Sequence, residues 1–306
     1  MEQIAVLIPC FNEARTIGKV IEDFKRELPE AVIFVYDNNS TDQTAEIARG
    51  HGAVVRSEPL QGKGNVIRSM FRDIKADIYV MIDGDDTYPA ETVRQLIRPV
   101  REREADMVIG DRLSNGSYKD ENKRFFHNFG NQLVKRLINR FFHAELRDIM
   151  SGYRVFSRHF VKHIPINSGG FEIETEMTLH ALDKKIPIRE IPIDYRDRPE
   201  GSYSKLNTFS DGFRVLKTIL WVFKDYRPLA FFSATALLFF MLALLTGLPV
   251  VVEFIKTAYI TKLPSAILAV GLMLIAIMSL FIGFVLDTIV KQHRENFELL
   301  LKRDDG

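Results

Sequence analysis

Cysteine is almost absent from the chain. Cys10, the single copy, cannot form an internal disulfide or a multi-cysteine metal cluster, which suits a reducing compartment. Charge of one sign is missing too: 41 Lys and Arg stand against 40 Asp and Glu, for a formal net charge of +1. With no basic domain carrying interleaved aromatics to neutralise phosphates, a nucleic-acid partner is excluded. No G-x-G-x-x-G follows the first apolar run, and Gln61-Gly62-Lys63-Gly64 lacks the Walker A spacing, so dehydrogenase and NTPase readings fall away. That glycine segment reads equally as a phosphate-side loop and as a plain turn. Met1 to Pro9 is too short for a secretory leader and runs into polar Asn12-Glu13, which predicts that the bulk of the protein starts in the cytoplasm.

What is abundant is apolar, and it is unevenly placed. The composition is 46% hydrophobic and 26% charged, ordinary for a soluble protein, yet Leu229 to Val252 and Leu263 to Leu286 contain no charged residue. Each run is about 24 residues, enough to cross a hydrocarbon core as a helix. Lys217, Lys224 and Arg227 precede the first run and Lys291, Arg294, Lys302 and Arg303 follow the second, against Lys256 and Lys262 between them. The positive-inside bias places both ends in the cytoplasm, in a multi-pass protein of the cell membrane. Neither run holds an internal ionisable residue, which argues against transport through this pair, while Gly271 and Gly283 offer surfaces for a homo-oligomer.

Upstream the pattern is different. Ile4 to Ile8, Val32 to Tyr36, Ala53 to Arg56, Ile78 to Ile82 and Met107 to Ile109 are apolar runs of strand length, the early ones separated by helical-period segments such as Ile17 to Arg26 and Thr44 to Arg49. The alternation predicts an α/β domain with a mostly parallel sheet. Asn122 to Phe142 reads as a basic helix and Ile186 to Tyr195 as a further strand. Leu206, Phe209, Phe213, Leu216, Ile219, Leu220 and Phe223 then recur at helical spacing with basic residues between them, the signature of an amphipathic helix lying in a membrane interface. The domain boundaries expected are 1–204 for a cytoplasmic catalytic domain, 205–227 for the interfacial helix, 228–290 for a transmembrane hairpin and 291–306 for a basic tail.

Three strands end in polar turns, Pro9 to Glu13, Asp37 to Asp42 and Asp83 to Asp86, and in open parallel sheets ligands bind beyond the carboxyl ends of the strands. Asp83-Gly84-Asp85-Asp86 follows an apolar strand, and carboxylates so held can bind Mg²⁺ or Mn²⁺ beside a diphosphate. Asp37 is placed to accept hydrogen bonds from a base or ribose, and Pro9 to Glu13, including Asn12, to form a wall of the same crevice. The cations Arg112, Arg124 with Asn128 one helical turn later, and Arg198 with Lys205 are candidates for a phosphate on the acceptor side. Glu172, Glu174 and Glu176, after Ser168-Gly169-Gly170, read as carboxylates favoured at a helix N-terminus.

Pro9-Cys10-Phe11-Asn12-Glu13, Asp37-Asn38-Asn39-Ser40-Thr41-Asp42 and Asp83-Gly84-Asp85 together resemble the inverting glycosyltransferase family 2. Asp148 to Arg154 and the stretch Arg198-Pro199-Glu200-Gly201-Ser202-Tyr203-Ser204-Lys205 look like its dolichol-phosphate mannose synthase and bacterial polyprenyl-phosphate glycosyltransferase branch, over roughly residues 1–225. The resemblance implies a glycosyltransferase A-type, Rossmann-like fold and transfer of a hexose-type sugar from a UDP- or GDP-sugar to polyprenyl or dolichyl phosphate at the membrane lipid surface. It implies that Pro9, Phe11, Glu13, Asp37, Asp83 and Gly84 bind the nucleotide-sugar and that Asp85, with Asp83, binds Mg²⁺ or Mn²⁺; Asn12 and Asn39 of the same turns and Lys63 of the glycine segment are further nucleotide-sugar-binding candidates. It also implies that Arg112, Arg124 and Asn128 grip the acceptor phosphate while the loop from Arg198 through Ser204 to Lys205 closes over it. Thr87 stands where the family often has Gln. Asp148 is read as catalytic, as a base or as a group that orients Arg154 or the acceptor. An ionised phosphate needs no base, whereas transfer to the hydroxyl of a lipid-linked saccharide would. Processive synthesis is disfavoured, since the nearest string to Q-x-x-R-W is Gln95-Leu96-Ile97-Arg98-Pro99. A non-catalytic, membrane-tethered nucleotide-sugar-binding module would call for a broken acidic turn, and this one is intact.

Overall fold

The computed structural model describes residues 2–115, 125–170, 172–196 and 220–304, with backbone alone over 125–131 and 302–304. The chain divides into two compact units, Met1–Val215 and Leu216–Gly306.

The first unit is built on a seven-stranded sheet in the order β3-β2-β1-β4-β6-β5-β7. The strands are β1 (Ile4–Cys10), β2 (Val32–Asp37), β3 (Val54–Ser57), β4 (Ile78–Met81), β5 (Met107–Asp111), β6 (Arg154–Ser157) and β7 (Ile188–Pro192). Continuous apolar runs make β1 and β4 central, and Val6, Leu7, Val80 and Met81 are wholly buried, as expected for strands covered on both faces. β1, β2, β3 and β4 pair in parallel, as do β5 and β7. β6 runs antiparallel between β4 and β5, with Arg154 opposite both Met81 and Ile109. That reversal brings the segment before β6, Asp148 to Tyr153, to the edge where β4 and β5 end.

Helix α1 (Ile17–Glu27) buries Ile17, Val20, Ile21 and Phe24, a 3.6-residue stripe, against the core around β1. Helices α2 (Thr44–Gly50), α3 (Lys63–Asp73), α4 (Val93–Arg101), α5 (Phe125–Phe142), α6 (Arg158–His163) and α7 (Ile173–Asp183) complete the unit's described helices, with a single 3₁₀ turn before α4. Each polar strand-end turn contains one non-glycine residue in the left-handed region: Asn12 (φ 56°), Asn39 (φ 64°) and Asp86 (φ 59°). Short amide and carboxylate side chains tolerate that conformation best.

The second unit is a helical hairpin. Helix α8 (Pro228–Thr257) and helix α9 (Leu263–Asp304) are both long and apolar enough to cross a membrane. Residues 220–226, just before α8, are helical, while 205–219 lie outside the described residues. The residues read as a basic tail continue α9 as helix to Asp304. A Cβ on Gly283 would press on Phe232 of α8 at 2.9 Å, so this glycine lets the two helices pack closely, while Gly271 faces open space.

Candidate active site

The polar turns meet at the carboxyl edge of the sheet. Pairing of Cys10 with Asp37 brings the ends of β1 and β2 side by side, and the Ile82 N–H donates to the Leu7 carbonyl at 3.0 Å, carrying β4 into its acidic turn beside them. The turns are cross-tied. Asn12 Oδ1 accepts from the Thr41 N–H at 2.7 Å, the Glu13 N–H donates to Thr44 Oγ1 at 2.8 Å, and Thr16 Oγ1 donates to the Gly84 carbonyl at 2.6 Å. Asn39 donates to the Pro59 carbonyl at 2.9 Å, and its neighbour Asn38, not among the expected site residues, holds the Glu58 and Leu60 carbonyls and accepts from the Gly62 N–H. Asparagine at 38 and 39 thus shapes the 58–62 loop. Pro9, Phe11 and Glu13 line this edge half-buried.

Asp37 stands apart from these satisfied groups. Its Oδ2 accepts from the Ser40 N–H at 3.3 Å, but Oδ1 is buried with no hydrogen-bond partner among the described residues. A buried carboxylate oxygen without a donor is costly.

In the acidic turn each carboxylate has a different setting. Asp85 is 6% exposed, and its Oδ1 accepts from the Thr87 hydroxyl at 2.7 Å. Thr87 therefore fixes Asp85, a role the sequence did not reveal. Asp86 turns to Lys19 of α1 at 2.7 Å, so it does not supplement the Asp83 and Asp85 pair. Asp83 Oδ1 accepts from Lys63 Nζ at 2.6 Å, and the same ammonium reaches Glu174 Oε1 at 2.5 Å. Burial works against the Lys63 charge, yet the two carboxylates hold its pKa well above the usual lysine value. A Cβ on Gly152 would overlap Asp83 Oδ2, so the Asp148–Tyr153 segment is seated against this carboxylate. Gly84 is confined in the same way, with Cys10 Sγ 2.9 Å from where its Cβ would stand.

Among the described residues no three His, Cys, Asp or Glu side chains assemble into a metal cage. Two hard carboxylates on one turn, one of them fixed by a hydroxyl, instead suit an ion such as Mg²⁺ that takes one or two protein oxygens and completes its shell with water and phosphate. The donor set fits that group.

The glycine segment 61–64 is neither a free loop nor a plain turn. It begins α3, and a Cβ on Gly62 or Gly64 would overlap the Gly169 or Ser168 carbonyl oxygen. The three glutamates stand at the N-terminus of α7 as expected, Glu172 as its N-cap residue and Glu174 and Glu176 in its first turn, but Glu172 makes no side-chain cap bond, Glu174 turns inward to Lys63, and Glu176 accepts from the Asn167 and Ser168 N–H groups at 2.9 Å.

On the far side of the turn, Arg112 leaves the end of β5 and grips Asp148 through two bonds, Nε to Oδ2 at 2.7 Å and Nη2 to Oδ1 at 2.9 Å. Its guanidinium also lies 5.5 Å from the centre of the Tyr195 ring and donates to the Tyr88 hydroxyl at 3.4 Å. Burial pushes the Asp148 carboxyl up, but the Arg112 charge and its hydrogen bonds outweigh this and hold it below the ordinary 3.8. Asp148 orients Arg112, not Arg154. Arg154 is wholly buried, its pKa pushed down to about 10 by that burial, and it donates to the Ile149 and Ser151 carbonyls at 2.7 and 2.9 Å. Glu190 of β7, another residue sequence reasoning missed, accepts from the Asp148 N–H at 2.8 Å and from the Arg147 N–H, and burial raises its pKa. Arg124, Arg198, Ser204 and Lys205 lie outside the described residues, and Asn128 is placed as backbone only, on α5.

Residues 5–164 match the model of a family described as glycosyl transferase family 2. The chain is 31% identical to glycosyltransferase AglJ of Haloferax volcanii over 97% of both chains. It is 29% identical to the dolichyl-phosphate hexose transferase of the same organism, over 74% of this chain and 96% of that one. Among solved structures it is similar to glucosyl-3-phosphoglycerate synthase from Mycobacterium tuberculosis, determined with Mn²⁺, UDP and phosphoglyceric acid. The TM-score is 0.59 at 21% identity, covering 73% of this chain and 78% of that one, a likeness of fold.

Proposed function

The chain belongs to glycosyl transferase family 2, a glycosyltransferase with a mostly parallel α/β catalytic domain followed by two helices able to span a membrane, and from that premise we propose an inverting sugar transfer from a nucleotide-sugar to a polyprenyl or dolichyl phosphate. The observation that carries this reading is the juxtaposition, at the ends of β4 and β5 with β6 between them, of the Asp83–Asp85 turn and the Arg112–Asp148 pair, joined through Gly152 packed on Asp83. One half suits a departing diphosphate and the other an incoming phosphate.

On the donor side, Asp37 Oδ1 is the acceptor left for a base or ribose donor, with Pro9, Phe11, Asn12, Glu13 and Asn39 framing it. Asp85, supported by Asp83, would hold the divalent ion, which when bound supplies positive charge to the leaving diphosphate. Lys63 adds a cation at the same edge, and Gly84 lets the backbone come close.

On the acceptor side Arg112, oriented by Asp148, brings a guanidinium charge to a phosphate, with Arg124, Asn128, Arg198, Ser204 and Lys205 proposed to share that load. One phosphate oxygen attacks the anomeric carbon as the bond to the nucleoside diphosphate breaks, with inversion at that carbon. The attacking oxygen is ionised near neutral pH, so no proton has to be removed. Asp148, held bidentately by Arg112 and with a depressed pKa, is suited to positioning that arginine and poorly suited to general base catalysis. The membrane hairpin and the resemblance to a dolichyl-phosphate hexose transferase support a lipid acceptor.

The test is transfer of radiolabelled sugar from UDP- and GDP-sugars to short polyprenyl phosphates, with and without Mg²⁺ or Mn²⁺. Label entering the lipid only with metal, and lost in Asp85→Ala, is the expected result. Label appearing only on a lipid-linked saccharide would replace the acceptor assigned here.

A further inference from the structure

Glu174 is a buried charge with no role in the transfer as described so far. It lies in the first turn of α7, 5% exposed, and its carboxylate shares the Lys63 ammonium with Asp83. Both ends of this bridge are anchored in backbone. Arg68 of α3 donates to the Ile166 and Asn167 carbonyls at 2.7 and 2.8 Å, while Glu176 of α7 accepts the next two N–H groups. Gly62 and Gly64 close the seam by direct backbone contact with Ser168 and Gly169. The two helices are therefore laced together around the residues that flank Lys63 and Glu174.

We propose that Glu174 is a positioning residue for the donor site, holding the Lys63 ammonium over Asp83 so that both the cation and the carboxylate keep the orientation a nucleoside diphosphate needs. The inference rests on the donor reading above. It also has a distinctive sign. A carboxylate that merely stood near the site would repel a diphosphate, and neutralising it would tighten binding. A carboxylate that holds Lys63 in place has the opposite effect, because its loss frees a long side chain to leave the working geometry.

The experiment measures UDP and GDP binding in the presence of Mg²⁺ by titration calorimetry on the full chain in detergent, for wild type, Glu174→Gln, Lys63→Met and the double variant, alongside kcat and donor KM. Glu174→Gln is expected to weaken the nucleotide that wild type prefers by about tenfold, the scale of one hydrogen bond to a charged group. The double variant should bind no more weakly than Lys63→Met, because Glu174 acts through that lysine. Unchanged or tighter binding by Glu174→Gln, or losses that multiply in the double variant, would overturn the proposal. If thermal melting shows that Glu174→Gln does not fold, Glu174→Asp replaces it: the charge remains but is withdrawn from Lys63, and the same weakening is expected. Failure of wild type to bind either nucleotide would instead refute the donor reading.

Discussion

At the scale of single residues, the site is organised by charges that restrain one another. Arg112 and Asp148 are nearly enclosed, so removing one partner leaves the other buried and uncompensated, a loss of about 3–5 kcal/mol in comparable pairs. Asp148→Asn should therefore melt well below wild type at neutral pH. Because the folded pKa of Asp148 is depressed, the stability it contributes is present above the unfolded value near 3.8 and is lost as pH falls through the lower folded value. The gap between the two melting curves is thus expected to narrow below about pH 4, readable by circular dichroism across a pH series. Kinetics separate its two possible roles. A positioning Asp148 predicts that Asp148→Asn raises acceptor KM about tenfold with kcat within a few-fold, whereas a general base would cost about 10²–10⁴ in kcat. Gly152→Ala tests the neighbouring contact: its methyl overlaps Asp83 Oδ2, displaces that carboxylate and should lower both kcat/KM for the donor and the melting temperature, since the buried Lys63 ammonium is left with Glu174 alone.

At the scale of elements, what the sequence discloses depends on whether a residue's partners are local. β1, β2 and β4 are legible because they are apolar runs that end in Asn- or Asp-rich turns, and the acidic turn is legible because it directly follows one of them. β6 is not. Arg-Val-Phe-Ser has no alternation, and its leading Arg154 looks like a surface charge, whereas it is buried by carbonyls of its own preceding loop. Glu174 and Glu176 are legible as helix-start carboxylates, but their partners, Lys63 and the 167–168 amides, are not, because these are distant in sequence or on the preceding loop. Lys63 is visible in the sequence only as the cation of the Gln61-Gly62-Lys63-Gly64 segment, with nothing local to show that two carboxylates hold it. Gly64 shows the same dependence on remote contacts: nothing local demands glycine there, since its φ is not in the left-handed region, yet the Ser168 carbonyl leaves no room for a methyl. Gly64→Ala must shift backbone rather than a side chain, so a cost of about 1–3 kcal/mol is expected, read as a lower urea midpoint with an unchanged slope.

At the scale of the whole molecule, the hairpin determines where the catalytic unit can work. α8 has 30 residues and α9 has 42, so at 1.5 Å per residue they extend about 45 and 63 Å, both beyond the roughly 30 Å of a hydrocarbon core. The excess of α9 includes its charged end, and Leu245, Ile255 and Ile267 are among many apolar side chains left outward on the hairpin, as a lipid environment requires. The flanking lysines and arginines lie at the two outer ends, and the short connection holds few, so the positive-inside bias predicts a connection on the side away from the cytoplasm, which is open to test. Cys10 is buried and is the only native thiol, so single-cysteine mapping has a quiet background. In intact cells a membrane-impermeant maleimide should label Tyr259→Cys in the connection and leave Glu298→Cys near the end of α9 unlabelled until the membrane is opened. That pattern would place the nucleotide-sugar and the transfer on the cytoplasmic side. The reverse pattern would invert the orientation, and the donor would then have to be supplied from the opposite side, where the cytoplasmic nucleotide-sugar pool does not reach.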